Sequence, residues 1–493
     1  APLVHRATPQ WFISMESHGL RKKALKALDD TTFYPDKGRE RIKAMIKTRP
    51  DWCVSRQRVW GVPLPIFVHK TTKEVLADDE VNENIASIYE KEGSDCWFSD
   101  NPQRFLGDKY KAEDYDKMSD IVEVWFDSGC THAFVLEKRE DLKWPASMYL
   151  EGSDQHRGWF HSSLLESCGT RGRAPYESIL SHGFVVDGKG LKMSKSLGNV
   201  IAPEDILKKY GADILRIWVA SSNYAEDLRI DYSILEQHAD SYRKIRNTFR
   251  YLLGNINDNY KKVDIEKLDL NQLPELEQYM LHRVFELNKN FKNYFKSYDF
   301  HNLYKELLNF CTVDLSAFYF DIRKDALYCD VKDSERRKGC IVVLNIILES
   351  LIKWFAPILS FTTEEIFTLI NKDKKSIHLE GFMEFPKSFE NEQLNKKWIE
   401  LKKIRDICNI SIEAKRASKE IGSSLEASII INLNEKLINK LEGIDFSELC
   451  ITSSAVVKKT ELDEVTVITN KAEGEKCPIC WKINKNGCEK HSN

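Results

Sequence analysis

The spacing of hydrophobic and polar positions changes near Ser233, and this change predicts two structural regions. Before Ser233, short apolar runs alternate with helical patterns among many Gly, Pro and Trp residues, which indicates layered α/β structure. After Ser233, apolar residues recur at three- and four-residue spacings, as in 235–252, which is typical of amphipathic helices. The sequence therefore predicts an α/β region followed by an all-helical bundle that extends to about residue 370.

Three further stretches of the second region have the same helical spacing, and two later runs have the composition of strands. The helical stretches are 274–295, 298–320 and 334–358, and a basic helix is predicted around 398–420. The strand-like runs 425–433 and 464–469 predict a small α+β appendage before a cysteine-rich tail.

The most apolar window, 341–352, contains Asn345 and Glu349. It falls short of the ~20 apolar residues that a membrane span needs, so it predicts a buried helix and no membrane segment.

Composition adds few constraints. With 493 residues and 42% hydrophobic content, the chain can form several cores and about two to four domains. The net charge of −3 combines many charges of both signs, so any contact with nucleic acid must be a local basic patch. Twelve cysteines without the spacing of a small secreted domain predict free thiols in a reducing, cytoplasmic compartment.

The loop "LKMSKSLGNV" (191–200) contains two lysines, Lys192 and Lys195, between an apolar strand and a helix predicted from Pro203 to just before Gly211. Two ammonium groups on such a loop suit a charge that grows during a reaction, as on a pyrophosphate leaving a nucleotide. The alternative is an ordinary solvated surface loop.

A second polar cluster follows a short strand predicted at 148–150. Glu151, Asp154 and Gln155 offer hydrogen-bond acceptors where a ligand binds in an open α/β sheet, outside the carboxyl end of a strand. The alternative is that Ser153 or Asp154 only caps the helix that follows. His132, His156 and His161 lie near this cluster in sequence, and we assign them no catalytic role.

The tail predicts a zinc site. Cys477 and Cys480 form a Cys-x2-Cys knuckle, and Cys488 and His491 form a Cys-x2-His knuckle. Seven residues separate the two knuckles, a short distance that a ribbon can accommodate. The alternative is a frayed tail with unrelated cysteines, although paired knuckles rarely occur by chance.

Taken together, these segments resemble the class I aminoacyl-tRNA synthetases, in the branch specific for isoleucine. The resemblance covers essentially the whole chain, and its motifs occur in the family's order. They are Lys-Met-Ser-Lys-Ser (192–196), "RPDWCVSRQRVWGVPLPIF" (49–67), "VEVWFDSGCTH" (122–132), "LEGSDQHRGWFHSSL" (150–164), "FDIRKDALYCD" (320–330) and "WFAPILSFTTEEIF" (354–367).

The resemblance implies roles for particular residues. Lys195, helped by Lys192, would contact ATP phosphates and stabilise the transition state. Glu151 would bind the aminoacyl-adenylate, with Asp154 and Gln155 around its ribose and amino group. Trp125 and Trp159 would form the walls of an aliphatic side-chain pocket. The remaining residues of the implied ATP and adenylate site are Gly152, Ser194 and Ser196.

The resemblance also implies an architecture, substrates and a zinc ion. A Rossmann-type catalytic half-domain (49–232) would follow the end of an editing insertion (1–48). An anticodon-binding helical domain (233–395), an α+β appendage (396–474) and a zinc ribbon (475–493) would come next. The implied substrates are ATP with Mg2+, L-isoleucine and tRNA(Ile), and we expect a monomer. One Zn2+ would bind at the C-terminal end, where His491 replaces the fourth cysteine of the family pattern.

The chain departs from the family in lacking its other signature, His-x-Gly-His, and its threonine-rich editing pocket. The segment "HRATPQWFISM" (5–15) resembles sequence that follows this pocket. The chain is therefore expected to be the back part of a longer synthetase and to be inactive by itself. Two other interpretations remain, a non-catalytic tRNA-binding protein and an enzyme for valine or leucine.

Overall fold

A computed structural model of the chain describes residues 7–256, 260–372, 375–488 and 490–491. The chain forms two compact units. The first comprises the chain up to Val186 together with Tyr224–Leu228, and the second comprises Asp187–Asn223 and the chain from Arg229 onward. The first six residues, which begin the segment assigned to the end of an insertion, lie outside the described residues.

The first unit is a layered α/β structure, as the sequence predicts. Its strands are Phe12–Ile13 (β1), Thr32–Tyr34 (β2), Trp52–Cys53 (β3), Ser55–Arg56 (β4), Phe67–His69 (β5), Tyr115–Lys117 (β6), Ile121–Val122 (β7), Tyr149–Gly152 (β8) and Ser178–His182 (β9). Its helices are Leu20–Asp29 (α1), Lys37–Lys47 (α2), Asp79–Glu92 (α3), Cys96–Ser99 (α4), Pro102–Leu106 (α5), Val124–Gly129 (α6) and Trp159–Thr170 (α7).

A parallel three-stranded sheet in the order β2–β9–β8 is the centre of the first unit. Helix α7 follows β8 and is buried along most of its length, although its sequence includes polar residues such as His161, Ser163 and Glu166. Phe33 of β2, Leu164 of α7 and Ile179 of β9 belong to one hydrophobic core. The buried sheet and α7 therefore fix the position of the loop that joins β8 to α7.

The helices of the second unit begin with a pair that follows the lysine-containing loop and continue as a long bundle. They are Pro203–Tyr210 (α8), Ala212–Ser221 (α9), Tyr232–Ile256 (α10), Glu275–Ser297 (α11), Phe300–Asn309 (α12), Phe320–Cys329 (α13), Glu335–Phe355 (α14), Ser360–Ile370 (α15) and Glu392–Ala417 (α16). A π-helical segment, Phe310–Tyr319, joins α12 to α13. Two strands, Val185–Asp187 (β10) and Leu228–Ile230 (β11), each cross the boundary between the units.

The bundle confirms the helical predictions. In α10 the apolar positions Leu235, Ile245, Phe249 and Leu252 are buried, whereas the basic positions between them are exposed. The apolar window 341–352 lies inside α14, which is buried along most of its length. Among the described residues, no helix is both long enough and apolar enough to cross a membrane.

The C-terminal part is a small α+β structure followed by a ribbon. It consists of Ala427–Leu433 (β12), Glu435–Lys440 (α17), Phe446–Leu449 (α18), Ser454–Lys459 (β13), Thr466–Lys471 (β14), Glu475–Lys476 (β15) and Ile483–Asn484 (β16). β12 pairs in parallel with β13 and antiparallel with β14. The sequence predicted β12 and β14 but missed β13, and the antiparallel pair β15–β16 forms the ribbon.

Candidate functional site

Residues 151–156, here called the strand-end loop, comprise the last two residues of β8 and the start of the connection to α7, and they lie at the carboxyl end of the parallel sheet. β8 runs from Tyr149 to Gly152, slightly later than predicted, and Glu151 is in register with Ser181 of β9. The Glu151 side chain is exposed, and its Oε2 accepts a hydrogen bond of 3.0 Å from the N–H of Gly152. This is the position at which open α/β sheets bind ligands.

The interpretation of this loop as a simple helix cap is wrong. The residue that precedes α7 is Gly158, and neither Ser153 nor Asp154 caps the helix. Instead Gln155 Oε1 accepts the N–H of Trp159 at 2.9 Å, and Gln155 Nε2 donates to Asp154 at 3.1 Å. The loop therefore has a fixed local structure while Glu151 and Asp154 remain exposed.

Two glycines allow close approaches around this loop. A Cβ atom at Gly152 would lie 2.6 Å from Oδ1 of Asp154, and one at Gly158 would lie 2.5 Å from Oε1 of Gln155. The same Cβ at Gly158 would lie 2.9 Å from the ring of Trp125. Any larger residue at either position would displace the side chains that form the loop.

The structure brings both predicted pocket tryptophans to the start of α7. The Trp125 ring packs against Gly158 and remains 41% exposed. The Trp159 ring stacks on Tyr149, with the ring centres 4.0 Å apart, and its Nε1–H donates to the carbonyl of Ser128 at 3.0 Å. Their aromatic faces are thus held rigidly beside the strand-end loop, and their role in an amino-acid pocket stays a prediction.

The three neighbouring histidines have structural surroundings. Each hydrogen-bonds through Nδ1 to a backbone carbonyl: His132 to Gly129 at 3.0 Å, His156 to Ser153 at 2.7 Å and His161 to His156 at 3.2 Å. Burial lowers the pKa of all three imidazoles, that of His161 to about 3. They are neutral groups at physiological pH.

The second candidate site is the loop of residues 187–199, here called the lysine loop, in the second unit. Oδ1 of Asp187 accepts the N–H groups of Lys189 at 3.0 Å and Leu191 at 2.8 Å, and its Oδ2 accepts the Asn199 amide at 2.9 Å. The Asn199 amide oxygen in turn accepts the N–H of Ser194 at 2.9 Å. These bonds lower the pKa of Asp187, and the Asn199 bond is the largest cause. Asp187 and Asn199 therefore brace the loop at both ends.

The middle of the lysine loop is a tight turn that carries the predicted residues. Ser194 Oγ accepts the N–H of Leu197 at 3.3 Å and lies 3.1 Å from Ser196 Oγ. The turn ends at Gly198, whose φ of +65° is a conformation that favours glycine. Lys192 and Lys195 are exposed, and within the described residues neither ammonium group makes an ion pair or a hydrogen bond. The loop thus presents two cations on an ordered backbone, and the described part of the chain offers them no ion-pair partner.

The four predicted metal ligands lie together in the C-terminal ribbon. The Sγ atoms of Cys477, Cys480 and Cys488 and a ring nitrogen of His491 all lie within 4.8 Å of one another. Cys480 Sγ is 3.7 Å from Cys488 Sγ, and His491 Nδ1 is 3.3 Å from Cys488 Sγ. Ligands bound tetrahedrally at about 2.0–2.3 Å from Zn2+ would be separated by similar distances. The backbone N–H of Cys480 is the main cause that lowers the pKa of Cys477 to about 6.

The orientation of His491 favours metal binding. Its Nε2 lies 3.0 Å from the carbonyl oxygen of Cys329. A carbonyl only accepts, so the ring proton is on Nε2 and the lone pair of Nδ1 points at the sulfur atoms. A second hydrogen bond of this kind is how proteins usually orient a histidine ligand. The residues present therefore fit a metal ion of the zinc type.

A second group in the described part of the chain, His282, Glu286 and Glu392, also has suitable spacing. Here Nδ1 of His282 accepts the N–H of Asn391 at 3.0 Å, so the ring proton of the neutral imidazole is on Nε2, the atom that faces Glu286 at 3.5 Å. No lone pair is available to a cation on that side. This group is a helix contact and does not fit a metal site.

Sequence reasoning missed the residues that hold the candidate sites in place. Asp187 and Asn199 flank the lysine loop, and the Asp-Gly pair at 187–188 is a turn signal that could have indicated the first. The Cys329 carbonyl is 162 residues from His491, and no local pattern indicates a backbone acceptor at that distance.

Two family models match the chain. Residues 4–231 match "tRNA synthetases class I (I, L, M and V)", and residues 277–431 match "Anticodon-binding domain of tRNA ligase". The first match contains the strand-end loop and the lysine loop, and the second contains most of the helical bundle.

Curated relatives agree with these models. The chain is 87% identical over 492 residues to the isoleucine–tRNA ligase of Pelagibacter ubique, a match that covers 100% of this chain and 54% of that protein. It is 47% identical to the enzyme of the same name from Brucella abortus, covering 98% and 51% of the two chains. It is 46% identical to that of Zymomonas mobilis, covering 98% and 52%. The chain spans about half the length of the curated relatives it matches.

Solved structures show the same fold at low sequence identity. One is the leucyl-tRNA synthetase of Agrobacterium radiobacter K84 in a ternary complex with tRNA and LeuAMS, with a TM-score of 0.53 and 13% identity over 86% of this chain and 54% of that one. Another is the methionyl-tRNA synthetase of Mycobacterium tuberculosis bound by methionyl-adenylate, with a TM-score of 0.52 and 15% identity over 73% and 62%.

Proposed function

The chain belongs to the isoleucine–tRNA ligase family of class I tRNA synthetases, and we propose that it carries part of the machinery that activates isoleucine with ATP and transfers it to tRNA(Ile). In the activation step, a carboxylate oxygen of isoleucine attacks the α-phosphorus of ATP, and the bond to the departing pyrophosphate breaks. In the transfer step, a ribose hydroxyl of the tRNA attacks the acyl carbon of the adenylate, and AMP leaves.

The observation that carries this proposal is the pair of exposed ammonium groups on the braced lysine loop, which have no ion-pair partner among the described residues. Negative charge on the pyrophosphate grows as its bond to the α-phosphorus breaks. Lys195 and Lys192 stabilise this charge, and they do so without first breaking ion pairs of their own. Ser194 and Ser196 supply hydroxyl groups beside them, and Mg2+ accompanies ATP as part of the substrate.

The strand-end loop supplies the groups for the adenylate. Glu151 and Asp154 are exposed acceptors at the carboxyl end of the sheet, suited to ribose hydroxyls and an ammonium group, and Gly152 leaves room for the Asp154 carboxylate. Gln155 orders the loop through Trp159. The faces of Trp125 and Trp159 limit the width of the side chain that the pocket accepts.

The experiment uses a chimera in which this chain replaces the matching half of the Pelagibacter ubique relative. Lys195→Ala should reduce isoleucine-dependent ATP–pyrophosphate exchange about 100-fold, in the range typical for loss of one transition-state contact. Lys208→Ala removes an exposed lysine of α8 and is the matched control, which should leave the rate unchanged. Equal rates for the two variants would contradict the role of the lysine loop.

Binding of tRNA is the second function that we propose, because the anticodon-binding model matches 277–431. The bundle also carries basic side chains outside any ion pair within the described residues, among them Lys244 and Arg250 of α10. Affinity of the chain for tRNA(Ile) should fall steeply with salt, and at each salt concentration it should be lower for a transcript with an altered anticodon. If both transcripts bind equally at every salt concentration, the bundle does not read the anticodon.

The C-terminal ribbon is proposed to hold one Zn2+. Cys477, Cys480 and Cys488 supply three thiolates, and His491 supplies Nδ1. When bound, the ion acts as a structural cross-link between the two knuckles. The chain itself orients the imidazole through Cys329 and pairs the two short strands of the ribbon. Elemental analysis of the natively purified chain tests the assignment, and a clean absence of zinc would contradict it.

A further inference from the structure

A cavity of about 210 Å3 lies in the first unit, and residues of α6 and α7 are among those that line it. Its walls are mostly apolar, and neither Trp125 nor Trp159 is among the residues that line it. It is therefore separate from the amino-acid pocket proposed above. Its apolar lining includes Ile13, Leu20, Trp52, Phe126, Ala133 and Leu165.

Two buried side chains that line this cavity have polar atoms without a hydrogen-bond partner in the described part of the chain. Glu166 is 7% exposed and His132 is 1% exposed. Within the described residues, both carboxyl oxygens of Glu166 and Nε2 of His132 lack a partner of ordinary geometry, although the Cys130 thiol, a weak donor, lies beside the carboxyl group. Because Nδ1 of His132 donates to the carbonyl of Gly129, Nε2 of the neutral ring carries a lone pair. Proteins rarely leave such groups unpaired.

No cation of the described chain offsets Glu166. Arg171 lines the same cavity, but its guanidinium makes two hydrogen bonds to Glu137, of 2.7 and 2.9 Å. Burial raises the pKa of Glu166 to about 8, and the carboxylates of Asp127 and Glu123 add to the effect. The cavity thus presents hydrogen-bond acceptors inside an apolar wall, and Glu166 carries a full negative charge there only above about pH 8.

We propose that this cavity binds a small primary ammonium ion that carries a short apolar tail. An ammonium group has three N–H donors and no acceptor, which complements Glu166 and Nε2 of His132. The tail would pack against Trp52, Phe126 and Leu165. A carboxylate ligand would be repelled by Glu166, and an alcohol would satisfy one acceptor only. Apolar pockets with a few fixed polar groups are typical of small-molecule sites.

The test is calorimetric titration of the 493-residue chain with n-butylammonium at pH 9, where Glu166 is ionised and the probe is still a cation. We expect saturable binding of one probe per chain, no binding of butyrate, and binding of n-butanol at least tenfold weaker. Glu166→Gln should weaken n-butylammonium binding at least tenfold. Glu177→Gln, which removes one exposed carboxylate elsewhere in the same unit, should not change it.

Two further measurements keep the test decisive. Between pH 6 and pH 7.5 the affinity should rise about tenfold per pH unit, because binding requires the ionised form of Glu166. Ala133→Leu should fill the cavity and abolish binding while Glu166 remains. The proposal is overturned if the folded chain shows no saturable binding, if Glu166→Gln binds as tightly as the parent, or if butyrate binds equally well. None of these results bears on the ligase proposal.

Discussion

The Asp213 carboxylate of α9 caps the first turn of α15 through Thr362, a residue 149 positions later in the chain. Oδ2 of Asp213 accepts the N–H of Thr362 at 2.8 Å and its hydroxyl at 2.6 Å, and Oδ1 accepts the N–H of Phe361 at 3.3 Å. The Tyr242 hydroxyl lies 2.8 Å from Thr362 Oγ1 and joins α10 to the same contact. The buried Asp213 carboxylate thereby accepts backbone N–H groups of the first turn of α15, which have no partner within the helix.

Asp213→Ala should destabilise the second unit by about 1–3 kcal/mol, since it removes a helix cap and leaves buried N–H groups unpaired. The urea midpoint of unfolding followed by circular dichroism measures this change. Asp205→Ala, which removes an exposed acid from the first turn of α8, is the control and should cost less than about 1 kcal/mol. If the free energy of unfolding falls equally in the two variants, the Asp213 cap does not stabilise the second unit more than an exposed acid does.

Asn199→Ala should slow pyrophosphate exchange in the chimera about tenfold while leaving its melting temperature nearly unchanged. The variant removes the bonds to Asp187 and Ser194 that position the lysine loop, and a misplaced charge stabilises the transition state less well. Steady-state assays at saturating ATP measure the rate of isoleucine-dependent ATP–pyrophosphate exchange in the variant and the parent. A rate equal to that of the parent would mean that the loop is ordered by other contacts.

Cys329→Ser should retain zinc, whereas His491→Ala should lose it. The Cys329 carbonyl, not its thiol, orients the imidazole of His491, so a change of side chain leaves the hydrogen bond intact. Native mass spectrometry of both variants would read the metal content directly. Loss of zinc in Cys329→Ser would make that thiol a ligand and contradict the assignment of His491.

Glu166 should make the stability of the first unit depend on pH. Its pKa of about 8 in the folded chain exceeds the ordinary value of about 4.3, so the folded state holds a proton that the unfolded state releases. The stabilisation is fully present below about pH 4 and is lost as pH rises through about 8, at about 1.4 kcal/mol per pH unit between the two pKa values. Unfolding free energies at pH 5.5 and 8.5 should therefore differ less in Glu166→Gln than in the parent chain. Parallel values would contradict the raised pKa.

Removing one partner of the buried ion pair between Arg323 and Glu277 should lower the free energy of unfolding strongly. Replacing both partners with apolar residues should lower it much less. Arg323 Nη2 and Nε donate to the Glu277 carboxylate at 2.6 and 2.7 Å, and both side chains are almost fully buried. Arg323→Met should cost about 3–5 kcal/mol because Glu277 remains charged and buried. The double variant Arg323→Met with Glu277→Leu should recover most of this loss in denaturant unfolding. An additive loss in the double variant would contradict this account of the pair.

Local periodicity predicted the helices but not the contacts that join them. The three- and four-residue spacing of Tyr242, Ile245 and Phe249 is a property of the segment itself, and α10 follows it. The segment 454–459 was missed as a strand because its residues are mostly exposed and lack the alternation that β12 shows. It becomes a strand by pairing in parallel with β12, a contact that no local pattern indicates.

The sequence likewise predicted the residues of the candidate sites but not the contacts that hold them in place. Short motifs identified the lysines, the strand-end acids and the four metal ligands, because each set is close in sequence. The sequence could not indicate that Asn199 braces Asp187, or that the Cys329 carbonyl fixes the His491 ring, since these contacts form only in the folded chain. Glu166 lies on α7, and no sequence pattern indicated that its carboxyl oxygens would lack a hydrogen-bond partner in the described part of the chain.

The most direct test of the ligase proposal is aminoacylation of tRNA(Ile) by the chimera, measured with isoleucine, valine and leucine in parallel. We predict charging with isoleucine at a rate within about tenfold of the Pelagibacter ubique parent, and a preference for isoleucine over both valine and leucine. A folded chimera that charges no amino acid, or that prefers valine or leucine, would contradict the account.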